Sequence, residues 1–80
     1  MALPWAQRVI LERKIARWVW EEKRVVTLQE ISEHFCINVP STRKIVRSIL
    51  RRTDGIRCFL SDAGFEVQEL PENYQPFIGL

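Results

Sequence analysis

Residues 27–40, TLQEISEHFCINVP, constrain the fold of this chain more than any other stretch. Thr27 and Glu30 match a capping box, in which the threonine hydroxyl accepts a backbone N–H of the first helical turn and the glutamate accepts the threonine N–H. A helix is therefore expected directly after Thr27. It would bury one stripe of apolar residues spaced i, i+3 and i+7, namely Leu28, Ile31 and Phe35.

The end of this helix and the start of another are predicted within a few residues. Asn38 tolerates the left-handed backbone conformation that often ends a helix. Pro40 prevents simple continuation, because proline has no N–H and clashes with the preceding turn. Ser41 is a suitable N-cap for the next helix. The sequence therefore predicts a helix, a tight turn and a second helix.

The flanking segments complete the pattern. From Pro4 onward the chain runs through WAQRVILERKIARWVWEEK without glycine or proline, which predicts a long first helix. Residues 24–27, RVVT, suit a brief strand or an extended link. Residues 56–60 and 65–70 are strand-like, and SDAG between them suits a short hairpin in which Gly64 supplies a positive φ.

This order of elements is that of a winged helix-turn-helix, mainly α with a small β-hairpin, made of three helices plus a wing. We expect residues 1–70 to form this domain. Residues 71–80 are predicted to be a C-terminal tail that packs on the domain or on a partner. Fold alone does not establish function, so function must be argued from particular side chains.

The first helix carries two apolar lines rather than one. The first consists of Val9, Ala16 and Trp20, and the second of Leu11, Ile15 and Trp18. Because each helical residue turns by about 100°, Trp18 and Trp20 point in nearly opposite directions. Either the helix is covered on several sides, or one line meets another chain. Trp18 and Trp20 are accordingly the candidates for a partner or dimer surface.

Charge is distributed unevenly along the chain. The formal net charge is only +2, but residues 41–52, STRKIVRSILRR, contain five basic residues and no acidic one. A helical wheel places the mainly apolar residues on one side of the helix: Thr42, Ile45, Val46, Ile49 and Leu50. The opposite side carries Lys44, Arg47 and Arg51, and Arg43 flanks them. Such a helix has no acidic partner of its own, which indicates an external polyanion.

The position of this helix favours duplex DNA, because the second helix of a helix-turn-helix enters the major groove with its N-terminal end first. We expect Arg43, Lys44 and Arg47 nearest the bases and Ser41 near a phosphate or base edge. Arg51 and Arg52, further along, are expected at phosphates. The hairpin tip carries Asp62 and its second strand is acidic, so the wing is expected to be structural or to face a protein.

The run IARWVWEEKRVVTLQEISEHFCINVPSTRKIVRSIL resembles the N-terminal half of the CaiF/GrlA family of enterobacterial transcriptional regulators. The Trp-containing first helix, the EISEHF second helix and the IVRSIL ending carry the resemblance, which covers roughly residues 15–60. It implies transcriptional activation through DNA binding and, in some members, control by an inhibitory protein partner. The DNA-binding role that the resemblance implies applies most directly to positions 41–51.

Other classes of function are disfavoured. No apolar run approaches the roughly 18–20 residues that cross a bilayer, and MALPWAQR does not resemble a secretory signal. Cys36 and Cys58 are expected to be buried thiols in a reducing cytoplasm. His34 and Cys36 alone cannot form a metal site, and S-x-x-K at residues 41–44 lacks the companion motifs of an enzyme. We expect neither catalysis nor a cofactor.

Two hypotheses follow from the sequence. In the first, the domain is a DNA-binding transcriptional regulator whose partner is double-stranded DNA. In the second, it is a protein-interaction module that docks a partner through the tryptophan-rich first helix and the acidic wing. The two are compatible if the chain forms a homodimer, since paired half-sites need two recognition helices.

Overall fold

The computed structural model describes residues 5–51 and 55–71. Three helices are followed by one hairpin: α1 Trp5–Glu22, α2 Leu28–Phe35, α3 Val39–Arg51, β1 Arg57–Ser61 and β2 Gly64–Glu69. This order confirms the predicted winged-helix architecture of three helices plus a wing. The tail predicted at residues 71–80 lies outside the described residues, except for Pro71. None of the described helices is both long enough and apolar enough to cross a bilayer.

The wing is an antiparallel hairpin that is attached to the helices through one further bridge. Its strands pair from Ser61 opposite Gly64 to Arg57 opposite Glu69, and Gly64 has the predicted positive φ. On the other side of β2, Val26 and Phe65 exchange both backbone hydrogen bonds, at 2.8 and 2.7 Å. The segment predicted as a brief strand or link thus contributes one bridge, which fixes the wing beside the start of α2.

The core lies between the three helices and the inner face of the wing. Its buried residues are Ile15, Ala16, Val19, Val26, Ile31, Ile45, Val46, Ile49, Phe65 and Val67. The face that α1 buries lies between the two predicted apolar lines, and fully buried Val19 is close to its centre. Trp18 and Trp20 flank that face, so each is partly buried against the core. Helix α1 therefore buries one face, which takes Ala16 from the first predicted line and Ile15 from the second.

In the turn between α2 and α3, the left-handed backbone conformation lies at a different residue from the one predicted. The left-handed residue is Cys36, with φ 56°, rather than Asn38. Its N–H donates to the Ser32 carbonyl, which also accepts the Ile37 N–H at 3.0 Å. Because Cys36 occupies this exposed cap, the prediction that it is buried is wrong. Cys58, on β1, is partly buried.

Helix α3 begins at Val39 because its N-cap is Asn38, three residues before the predicted cap Ser41. The Asn38 side-chain oxygen accepts the Ser41 N–H at 2.7 Å, and its carbonyl accepts the Thr42 N–H at 2.9 Å. The predicted cap at Ser41 is therefore wrong. Pro40 lies inside the first turn, where a missing N–H costs nothing because those donors have no partner within the helix.

Candidate nucleic-acid interface

Helix α3 separates into an apolar face and a cationic face, as its sequence predicts. Thr42, Ile45, Val46 and Ile49 are buried against α1, α2 and the wing. Leu50, which the helical wheel places on the apolar side, is 36% exposed at the margin of that face. The opposite side is exposed and carries four cations, which we call the α3 cationic face: Arg43, Lys44, Arg47 and Arg51.

The α3 cationic face has no acidic partner among the described residues, whereas four arginines outside α3 do. Outside α3, four arginines lie within 4.0 Å of a glutamate, in the pairs Arg8–Glu12, Arg17–Glu21, Arg24–Glu22, Arg24–Glu30 and Arg57–Glu69. Among residues 5–51 and 55–71, no acidic group forms an ion pair with the α3 cationic face. Since Arg43, Arg47 and Arg51 are spaced four apart on one helix, their like charges repel one another.

The N-terminus of α2, which supports one side of this surface, is held by a charged cluster. The Arg24 guanidinium donates to both oxygens of Glu30, at 3.0 and 3.2 Å, while Glu30 also accepts the Thr27 N–H at 2.8 Å. The hydrogen bonds from Arg24 and then from the Thr27 backbone lower the pKa of Glu30 to about 2. The same hydrogen bond to Glu30 raises the pKa of Arg24. The predicted capping box is confirmed, and Arg24 extends it.

The inner side of α3 is tied to α1 by a polar contact that sequence reasoning missed. The Ser48 hydroxyl donates to Glu12 Oε2 at 3.0 Å, and Arg8 Nε lies 3.6 Å from the same oxygen. Glu12 is only 2% exposed, although its type usually faces solvent. Its position three residues after Val9 and three before Ile15 was the available signal, because that spacing places it on the buried face.

A groove of about 480 Å³ lies between the α3 cationic face and the wing. Arg43 and Arg47 line one side of it, and Thr27 and Leu28 from the start of α2 also contribute. The other side is the wing turn, residues 60–64, which includes Asp62. The groove therefore has two arginines and one carboxylate along its walls.

The structure brings only part of the predicted DNA-binding set to this groove. Arg43 and Arg47 line it, whereas Lys44 and Arg51 are exposed elsewhere on α3. Ser41 is half-buried, and its N–H is occupied by the Asn38 cap. Arg52 lies outside the described residues.

The two predicted partner-surface tryptophans lie in separate aromatic contacts. Trp18 stacks on His34 with ring centroids 4.2 Å apart, and it meets the edge of Phe35. Trp20 is covered by Lys23, whose Nζ lies 3.7 Å from the ring centroid. Phe59 of β1, in contrast, is 54% exposed.

Comparison of the chain with protein-family models, with curated proteins and with solved structures found no match. Within the part of the chain that the structure describes, no three histidine, cysteine or acidic side chains are grouped so as to hold a metal ion.

Proposed function

We propose that this protein is a DNA-binding transcriptional regulator that inserts α3 into the major groove of duplex DNA. The observation that carries the proposal is the α3 cationic face, which has no acidic partner among the described residues, although four arginines elsewhere lie within 4.0 Å of a glutamate. Exposed cations that repel one another gain most from a polyanion outside the protein. Release of counterions from DNA would supply the driving force for binding.

The dimensions and orientation of α3 suit this role. Its 13 residues span about 20 Å, and the B-DNA major groove, about 12 Å wide, admits one helix. Arg43, Lys44 and Arg47 belong to its first half, which enters first in a helix-turn-helix complex. Arginine and lysine can donate to guanine O6 and N7, so these three side chains are our candidates for base contacts. Arg51, at the far end, is our candidate for a phosphate contact.

Two further parts of the proposal rest on the sequence. The resemblance to the CaiF/GrlA family supports regulation of transcription, with activation as the expected direction. The cytoplasmic location rests on the free-thiol reasoning for Cys58 and on the DNA partner itself.

The proposal is tested by charge reversal on the cationic face. Arg47→Glu should lower the affinity for a random-sequence duplex at low salt by at least about tenfold, because it removes one contact and adds a repulsion. Fluorescence anisotropy of a labelled duplex measures this directly. The fold should be retained, because Arg47 is exposed and makes no ion pair with another described residue.

The matched control is Arg17→Glu, which changes the net charge by the same amount on α1. It breaks only an exposed pair with Glu21, in which the nitrogen and oxygen lie 3.9 Å apart. Affinity close to that of the wild type is expected. Equal losses in the two variants would mean that overall charge, rather than the α3 cationic face, governs binding, and the proposal would be rejected.

A further inference from the structure

The wing turn places a carboxylate opposite the two arginines of the groove. Asp62 is exposed and lines the same groove as Arg43 and Arg47. It does not form an ion pair with either arginine, since no such pair lies within 4.0 Å among the described residues. The carboxylate thus faces the space between α3 and the wing without neutralising the cations across it.

This arrangement affects any DNA phosphate that comes near the groove. A phosphodiester carries one negative charge, and inside the groove it would approach Asp62 as well as the arginines. Like charges brought together at a partly water-excluded surface repel one another more strongly than in bulk water. An uncharged residue in the same turn would remove that repulsion while leaving both arginines in place.

We propose that Asp62 is a negative determinant of DNA affinity: when α3 lies in the major groove with Arg43 and Arg47 towards the bases, the Asp62 carboxylate beside them repels the nearest backbone phosphates. The inference rests on the proposed function and assigns a role to the wing within it. The wing tip does not add a second cationic contact, as a basic tip would, but limits how tightly one domain holds duplex DNA. Base contacts from α3 then have to contribute a larger share of the binding free energy.

Asp62→Asn tests this inference, with Glu66→Gln as the matched control. Asparagine suits turns as well as aspartate does, so the hairpin should be preserved, which a thermal melt verifies. Glu66 belongs to the same wing and its substitution removes the same charge, but it does not line the groove. We expect Asp62→Asn to raise the affinity for a random-sequence duplex by about two- to fivefold, the range of one exposed charge interaction. Glu66→Gln should change it by less than half as much.

The outcomes separate the inference from the proposed function. If the wild type binds duplex DNA and Arg47→Glu does not, but Asp62→Asn binds no more tightly than Glu66→Gln, the role of Asp62 is overturned and the proposed function stands. A fall in affinity in Asp62→Asn would also overturn it, because the carboxylate would then be a favourable contact. If the wild type binds no duplex at low salt, both proposals fail together.

Discussion

Gly64 is the residue at which the backbone leaves least freedom for substitution. Its φ is +138°, and a Cβ built there would lie 2.4 Å from the Val26 carbonyl oxygen. That oxygen accepts the Phe65 N–H in the bridge that attaches the wing to the helices. A methyl group would therefore separate the wing from its attachment as well as strain the turn.

We expect Gly64→Ala to lower the free energy of unfolding by about 2–4 kcal/mol, from backbone strain together with overpacking. Urea denaturation followed by circular dichroism measures it. Gly55→Ala is the comparison, since Gly55 also has a positive φ but its nearest neighbour is the Pro71 side chain at 3.0 Å rather than backbone. A loss in Gly64→Ala no larger than that in Gly55→Ala would contradict the close approach to Val26.

Glu30 gives a second prediction at this scale, for the pH dependence of stability. Its pKa falls from 4.5 to about 2 on folding, so its contribution is complete above pH 4.5 and is lost as the pH falls towards 2. Glu30→Gln should flatten the decline in melting temperature over that interval. Glu33→Gln, an exposed change on the same helix, should leave the decline as it is in the wild type. Parallel declines in the wild type and Glu30→Gln would show that the contact with Arg24 is unimportant in solution.

At the scale of the element, the cap of α3 distinguishes the sequence prediction from the structure. Asn38→Ala should destabilise the protein by about 1 kcal/mol, because it removes the acceptor for the Ser41 N–H. Ser41→Ala should cost only a few tenths of a kcal/mol, because in the structure the serine is not the cap. Chemical denaturation of the two variants under one set of conditions decides between the alternatives. If Ser41→Ala were the more destabilising of the two, Ser41 rather than Asn38 would be the N-cap of α3.

The elements also show how far sequence reasoning reaches. The capping box at Thr27 and Glu30 is a local pattern, and it predicted the start of α2 correctly. Whether Asn38 or Ser41 is the N-cap of α3 depends instead on which residue of the following turn is buried, and in the structure that residue is Thr42. The buried face of α1 likewise depends on what packs against it, so spacing in that helix alone could not show that Val19 lies near the centre of that face.

For the whole molecule, the order of elements was sufficient to predict three helices and a wing, since each is marked by caps, breakers or alternation. The cationic face of α3 was predictable because charge and helical period are both visible in STRKIVRSILRR. The sequence could not show that arginines elsewhere are paired while those of α3 are not, because a pair such as Arg24 with Glu30 depends on the distance between different parts of the fold. Nor could the sequence show that Asp62 lies across a groove from Arg43 and Arg47.

The salt dependence of duplex DNA binding by the wild-type protein tests the central claim most directly. If the four described cations of α3, whether at bases or at phosphates, each displace about one condensed counterion from the duplex, the logarithm of the association constant should fall with the logarithm of salt concentration with a slope of about −3 to −4. Arg47→Glu should bind weakly and with a shallower slope. An absence of binding at low salt, or a slope near zero, would contradict the account and leave an acidic protein surface as the partner of the α3 cationic face.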